Sequence, residues 1–153
     1  MRHRTFALIA AMLLAITLME SRASTKDEGT LQDTLTLLLS SDESFTDDSP
    51  EALRQRFAPC FTDAALKAFL SSELAHRLPL AIQRAGIAPT LGEVTLTAAE
   101  NASGYVFTLP LRCERGDESR DFTLTGYAAF NDERLAALSL DDTDALERWL
   151  ADA

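Results

Sequence analysis

The chain has few of the side chains on which metal, redox and nucleic-acid chemistry depend. It holds two histidines and two cysteines in 153 residues, and no spacing among them resembles a zinc site, which needs several such ligands at short, regular intervals. The Cys-x-x-Cys arrangement that poises a dithiol for exchange is absent. The acidic runs Asp42-Glu43, Asp47-Asp48 and Asp141-Asp142-Thr143-Asp144 lack the alternating oxygen ligands and central glycine of a calcium loop, so they read as solvated faces or helix caps. No metal and no cofactor is implied. Basic residues are scarce as well: 14 Lys and Arg against 24 Asp and Glu leave a formal net charge of −10, with no basic cluster and no aromatic interleaving. Such a surface repels a phosphate backbone or an anionic lipid headgroup. No internal repeat and no low-complexity linker divides the sequence, and no catalytic signature occurs in it.

What is present begins at the amino terminus. Arg2, His3 and Arg4 precede a mostly apolar run from Phe6 to Met19, and Ser21 and Ala23 supply the small residues that a signal peptidase requires. Residues 1–23 therefore read as a signal peptide cleaved after Ala23; an uncleaved anchor is the alternative. The expected address is secreted or periplasmic, with no stable membrane anchor after cleavage. Cleavage removes Arg2, Arg4 and Arg22 against Glu20, which moves the formal charge from −10 to −12.

Residues 24–29 read as a flexible lead-in and residues 30–153 as a single α+β domain. Thr30 is the expected cap of a helix with Leu31, Leu35, Leu38 and Leu39 at helical spacing, and Pro50 the first turn of a helix ending at Phe57. Thr62 caps a third helix whose stripe, Leu66, Phe69, Leu70, Leu74 and Leu78, is interrupted at Pro79, with a last turn closing at Gly86. The period then drops to two. Val94, Leu96 and Ala98 alternate with Glu93, Thr95 and Thr97, and three further alternating segments follow: residues 105–113, 121–130 and 134–140. A closing helix carries Leu146, Trp149 and Leu150 behind Asp142 or Thr143. Helices followed by a meander predict amino-terminal helices packed on a curved four-stranded antiparallel sheet, with a short C-terminal helix.

Export places Cys60 and Cys113 where thiols oxidise, and strand alternation turns Cys113 toward the helix layer, so a disulfide between them is expected. Closing its 53-residue loop would restrain the unfolded chain by about 4 kcal/mol. Other residues have plain readings. His76 sits at a helix boundary, Asp63 favours a helix dipole, and Asn101-Ala102-Ser103 matches a glycosylation acceptor in a turn.

The last hairpin, Gly126-Tyr127-Ala128-Ala129-Phe130-Asn131-Asp132-Glu133-Arg134-Leu135-Ala136-Ala137-Leu138-Ser139-Leu140, is similar to the closing strands of the nuclear-transport-factor-2-like, or cystatin-like, family. Glu133 stands where many members have glycine. The resemblance implies a cone-shaped sheet with Tyr105, Phe107, Phe122 and Leu124 as candidate pocket-lining residues. It also implies two function classes, since the family holds isomerases and dehydratases as well as non-catalytic binding members. The reading favoured here is a secreted, non-catalytic module binding a protein or a small apolar ligand; a small-molecule isomerase or dehydratase using Tyr105 and a carboxylate is the alternative. Because open sheets of this family commonly pair, and Val106, Thr108, Pro110, Thr123, Thr125, Tyr127 and Ala129 form a mildly polar alternate face, a homodimer is also expected.

Overall fold

The computed structural model describes residues 24–40, 49–100 and 102–152. The expected leader with its cleavage point, the acidic runs at 42–43 and 47–48, and Asn101 lie outside the described residues.

The helices form where the sequence supplies caps. Helix α1 spans Thr25–Leu39, and its cap is Ser24, whose hydroxyl accepts from the Asp27 N–H at 3.1 Å. It thus starts ahead of Thr30 and takes in residues 25–29, with Asp27 and Glu28 in the first turn facing the positive end of the dipole. Thr30 has another use: its hydroxyl donates to the Glu133 carbonyl at 2.9 Å. Helix α2, Pro50–Phe57, has Pro50 at its first position behind Ser49. Helix α3, Asp63–Leu70, is capped by Thr62, and α4 runs from Leu74 to Ala85, closed by Gly86 at φ +65°. The break between α3 and α4 falls at residues 71–73 and not at Pro79, which α4 accommodates in its interior. The Ser71 and Ser72 hydroxyls donate back to the Lys67 and Phe69 carbonyls (2.9 and 2.6 Å), the kind of local competition with the helix ladder that ends helices.

The sheet is antiparallel and open: β1 (Thr90–Leu91) and β2 (Thr95–Ala98) both pair with β3 (Tyr105–Arg115), then β4 (Glu118–Asn131) and β5 (Arg134–Leu140) follow in order. The expected first strand, from Glu93 to Ala98, is shortened to Thr95–Ala98, and an unexpected short strand, Thr90–Leu91, precedes it, which makes five strands instead of four; Pro110 explains the break between them. In an antiparallel hydrogen-bonded pair, two residues exchange both backbone bonds. Gly92 donates to the Pro110 carbonyl at 2.8 Å, but proline has no N–H to return. The side chain of Gln32 on α1 fills the gap: its Nε2 donates to the Gly92 carbonyl (3.1 Å) and its Oε1 accepts from the Val94 N–H (2.8 Å). At the other end of the sheet, β5 shifts register between Ala129 and Phe130, with Ala136 the extra residue of a bulge. The outer side of β5 is partly covered by residues 60–62, which bond Leu135 through the Cys60 carbonyl (2.8 Å) and the Thr62 N–H (2.9 Å).

Helix α5, Asp144–Ala151, closes the chain against α4, where Arg77 meets Glu147 at 3.1 Å. One core joins Leu31, Leu35 and Leu38 of α1, the Phe57, Phe61 and Phe69 rings, Leu78 and Ile82 of α4, the inner face of the sheet, and Trp149. Each large side chain buried there contributes about 1.5–3 kcal/mol.

The expected Cys60–Cys113 disulfide is not formed; both cysteines are buried and free. The strand register shows why. Cys113 pairs with Arg120 of β4, whereas Cys60 is bonded to Leu135, which pairs with Phe130 of the same strand. Those two points on β4 are roughly 30 Å apart at the usual strand rise, and a disulfide needs Cα atoms within about 7 Å. Alternation turned Cys113 inward as expected, but at the opposite end of the sheet from Cys60. Burial pushes the Cys113 thiol pKa up, which makes it less reactive.

Candidate functional site

Period-two alternation assigns the strand residues to two faces, and the helices cover only one of them. On β3 the side chains Phe107, Leu109, Leu111 and Cys113 are buried, while Val106, Thr108, Pro110, Arg112 and Glu114 are exposed. The pairing register extends this outer face across the sheet in rows: Thr97, Val106, Tyr127 and Ser139; then Thr95, Thr108 and Thr125; then Pro110 and Thr123; then Arg112 and Asp121. The strand residues of the first three rows carry no charge, and Asp141, exposed just past β5, donates its N–H to the Thr125 carbonyl at 2.9 Å at the margin of the second row. Among the described residues Val106, at 45% exposure, is one of two exposed large apolar side chains. Tyr127 lies flat across Gly104, where an added Cβ would collide with its ring, so the phenol stays half-buried on an otherwise open surface.

The fourth row, at one end of the face, is charged, and there the charges are paired. Arg112 donates through Nε and Nη2 to the two carboxylate oxygens of Asp121, at 2.8 and 3.4 Å. The guanidinium holds the Asp121 carboxyl below the usual range, and the carboxylate raises Arg112. Beside this pair lies a depression of about 420 Å³ bordered by Thr90, Gly92, Pro110 and Thr123, formed where the edge strand is interrupted.

The four candidate pocket residues lie on the inner face. Phe107 is fully buried with its ring packed over Gly126, whose missing side chain leaves the space, and Leu124 is buried near it, opposite Leu109. Tyr105 and Phe122 are half-buried at opposite ends of that face: Tyr105 beside Phe130 (centroids 6.1 Å apart), and Phe122 edge-on to Trp149 (5.8 Å). By register Tyr105 stands opposite Ala128 on β4, six residues from Phe122, or roughly 20 Å. The structure thus brings Phe107 and Leu124 together and holds Tyr105 and Phe122 apart. Among the described residues no hydrogen bond links Tyr105 to a carboxylate. His76 is exposed and donates to the Leu70 carbonyl at 3.1 Å, and Asp63 occupies the first turn of α3. Among the described residues no group of three or more His, Cys, Asp or Glu side chains is placed to hold a metal ion.

Sequence reasoning passed over one polar cluster at the far hairpin. The Arg115 guanidinium stacks on Trp149 (4.5 Å to the ring centroid) and donates to Glu118 at 3.0 Å and to the Trp149 carbonyl at 3.2 Å, while the indole N–H donates to Glu118 at 3.0 Å. The Trp149 bond, then that of Arg115, holds the Glu118 carboxyl below its ordinary range. The i,i+3 spacing of Arg115 and Glu118 about a turn was a local signal; Trp149, thirty-one residues on, gave none.

No family model, no curated protein and no solved structure matches this chain.

Proposed function

We propose that the protein is a secreted, non-catalytic interaction module that binds through the outer face of its sheet. One observation supports this reading above the others: in a chain of net charge −10, the strand residues of three consecutive cross-strand rows centred on Thr108 carry no charge, the Asp141 carboxylate standing at the β5 margin, and the helix layer lies on the opposite side. Desolvating threonine methyls, alanine and valine on a flat sheet costs little, whereas desolvating unpaired carboxylates costs several kcal/mol each. Binding by such a protein is therefore cheapest at this face. The amino-terminal leader pattern supports export.

A photo-crosslinking comparison in the producing cell tests the reading. A benzophenone side chain placed at Thr108 is expected to give a discrete adduct, and the same group at Gln83, exposed on α4, is expected to give none. Equal adducts from both positions, or an adduct from Gln83 alone, overturn it.

A further inference from the structure

We infer that the free edge of the sheet, at β2, takes an added strand: an extended segment of another protein, alternating in polarity and basic at both ends. The inference goes beyond the outer-face reading and does not rest on it. The two edges of the sheet differ. Residues 60–62 bond Leu135 along β5, whereas β2 pairs with β3 alone. The register shows which backbone groups of β2 are left over. The Ala99 N–H donates to the Gly104 carbonyl at 3.0 Å, which makes these two a hydrogen-bonded pair. Along the same register Thr97 and Thr95 form such pairs with Val106 and Thr108. The N–H and C=O groups of Leu96 and Ala98 therefore point away from β3, to the side where no strand lies. Val94 continues that outward row, and there a side chain already does what an added strand would do: the Gln32 Oε1 accepts the Val94 N–H at 2.8 Å. Gln32 thus ends the row on one side and leaves Leu96 and Ala98 to a partner.

The edge also lacks common defences. Edge strands are often blocked by proline, lysine or an inward-pointing charge, and Thr95–Ala98 contains none of these. Its brevity admits one short segment and not open-ended stacking. The chemistry of that segment follows from its neighbours. Residues opposite Leu96 and Ala98 share the inner side of the sheet, where Leu96 is half-buried against the core, so apolar side chains suit them. The residues between them lie beside Thr95 and Thr97, which are exposed on the outer side, so threonine suits those positions. Glu93 and Glu100 flank the strand; both are exposed, and among the described residues neither takes part in an ion pair. A basic residue at each end of the segment meets one of them, whereas an acidic residue is repelled.

Amide hydrogen exchange of the purified protein, followed by NMR, tests this with an acetylated and amidated Lys-Thr-Val-Thr-Val-Thr-Lys peptide as the probe. In the protein alone the Thr97 N–H should exchange slowly and those of Leu96 and Ala98 rapidly. Saturating peptide should slow Leu96 and Ala98 by roughly tenfold or more, and the same peptide ending in Glu at both ends should leave them unchanged. Ala98→Pro removes an outward N–H while sparing the bonds to β3, and it should abolish the slowing at Leu96. If that variant does not fold, Glu93→Lys combined with Glu100→Lys should transfer the slowing to the Glu-ended peptide. No slowing with the Lys-ended peptide overturns the inference. So does slowing that persists undiminished in Ala98→Pro, or that is equal for the two peptides. The outer-face reading is judged by the Thr108 adduct and this one by exchange at β2, so either can fail while the other stands.

Discussion

Phe107 and Thr108 are neighbours on β3, yet they belong to the two most different environments in the molecule. Phe107 is at 0% exposure, pressed on the backbone of Gly126, where a Cβ would come within 2.7 Å of its ring. Thr108 is exposed between Thr95 and Thr125. The comparison shows how the sheet divides its work: one face holds the fold together by size and fit, and the other is filled with small β-branched residues that favour the strand without needing a partner layer. Replacing Phe107 with alanine should therefore cost about 3–5 kcal/mol, while Thr108→Ala should change stability by no more than about 0.5 kcal/mol. Chemical denaturation of the two variants measures both. A Thr108→Ala loss approaching that of Phe107→Ala would mean that the outer face is part of the core and would end its candidacy as a binding surface.

The same contrast appears in how the sheet's edge is completed. Most of β3 finds its partners by alternation alone, but opposite Pro110 the edge depends on Gln32, which bonds Gly92 from sixty residues earlier in sequence. Gln32→Ala leaves the Gly92 carbonyl and the Val94 N–H without their protein partners and should cost about 1–2 kcal/mol. Adding Pro110→Ala to that variant restores an N–H directed at Gly92 and should recover part of the loss. If it recovers nothing, Pro110 is not what breaks the edge strand. Urea midpoints of the single and double variants give the answer.

These two cases also mark what local sequence carries. The faces of β3 and β4 were legible because alternation depends only on a residue's immediate neighbours, and both ends of α2 and the starts of α3 and α5 were legible because caps and prolines act within one turn, whereas the end of α3 at Leu70 was not. The start of α1 was missed because Ser24 and Thr30 are equally good caps, and the choice between them is made by the hairpin turn at Glu133, which uses the Thr30 hydroxyl. The cysteine pairing failed for a related reason. Alternation gives the side to which Cys113 points but not the position along the sheet that Cys60 reaches, and that depends on the register of residues 60–62 against Leu135. The outer face was legible as a surface because its residues alternate with the buried ones; a partner for it leaves no local signal in the strands.

The two hairpin turns sharpen the comparison at a smaller scale. The β3–β4 turn uses Gly116 at φ +58°, whereas the β4–β5 turn holds Asp132 and Glu133 at φ +49° and +64° with no glycine. A left-handed backbone costs a non-glycine residue about 1–2 kcal/mol, and this turn is braced from α1 by Lys26 (2.7 Å to Glu133) and by Thr30. The Lys26 bridge is 72% and 56% exposed on its two sides, so solvent screens it and it offsets little of that cost. Glu133→Gly relieves the strain, keeps the carbonyl that Thr30 uses, and gives the Asp-Gly pair such hairpins prefer. The expected net effect is stabilisation by about 0.5 kcal/mol, read as a small rise in Tm; a fall would show that the bridge outweighs the strain.

The smallest effect expected lies at the other hairpin, and it is seen only in acid. Glu118 has its carboxyl pKa lowered on folding, first by the Trp149 N–H and then by Arg115. A group whose pKa falls on folding adds stability above its unfolded value, near pH 4.3 for glutamate, and loses that contribution as the pH drops through the folded value. Glu118 is solvent-exposed, so the contribution is small. Glu118→Gln keeps an oxygen to accept the indole N–H but has no charge to titrate. Below about pH 4.3 the Tm of the parent protein should therefore fall slightly faster than that of the variant. Above that pH the two curves should run parallel, because the Arg112–Asp121 pair and every other carboxylate are common to both. Parallel curves across the whole acid range would mean that Trp149 and Arg115 hold Glu118 no more tightly in the folded chain than water does in the unfolded one.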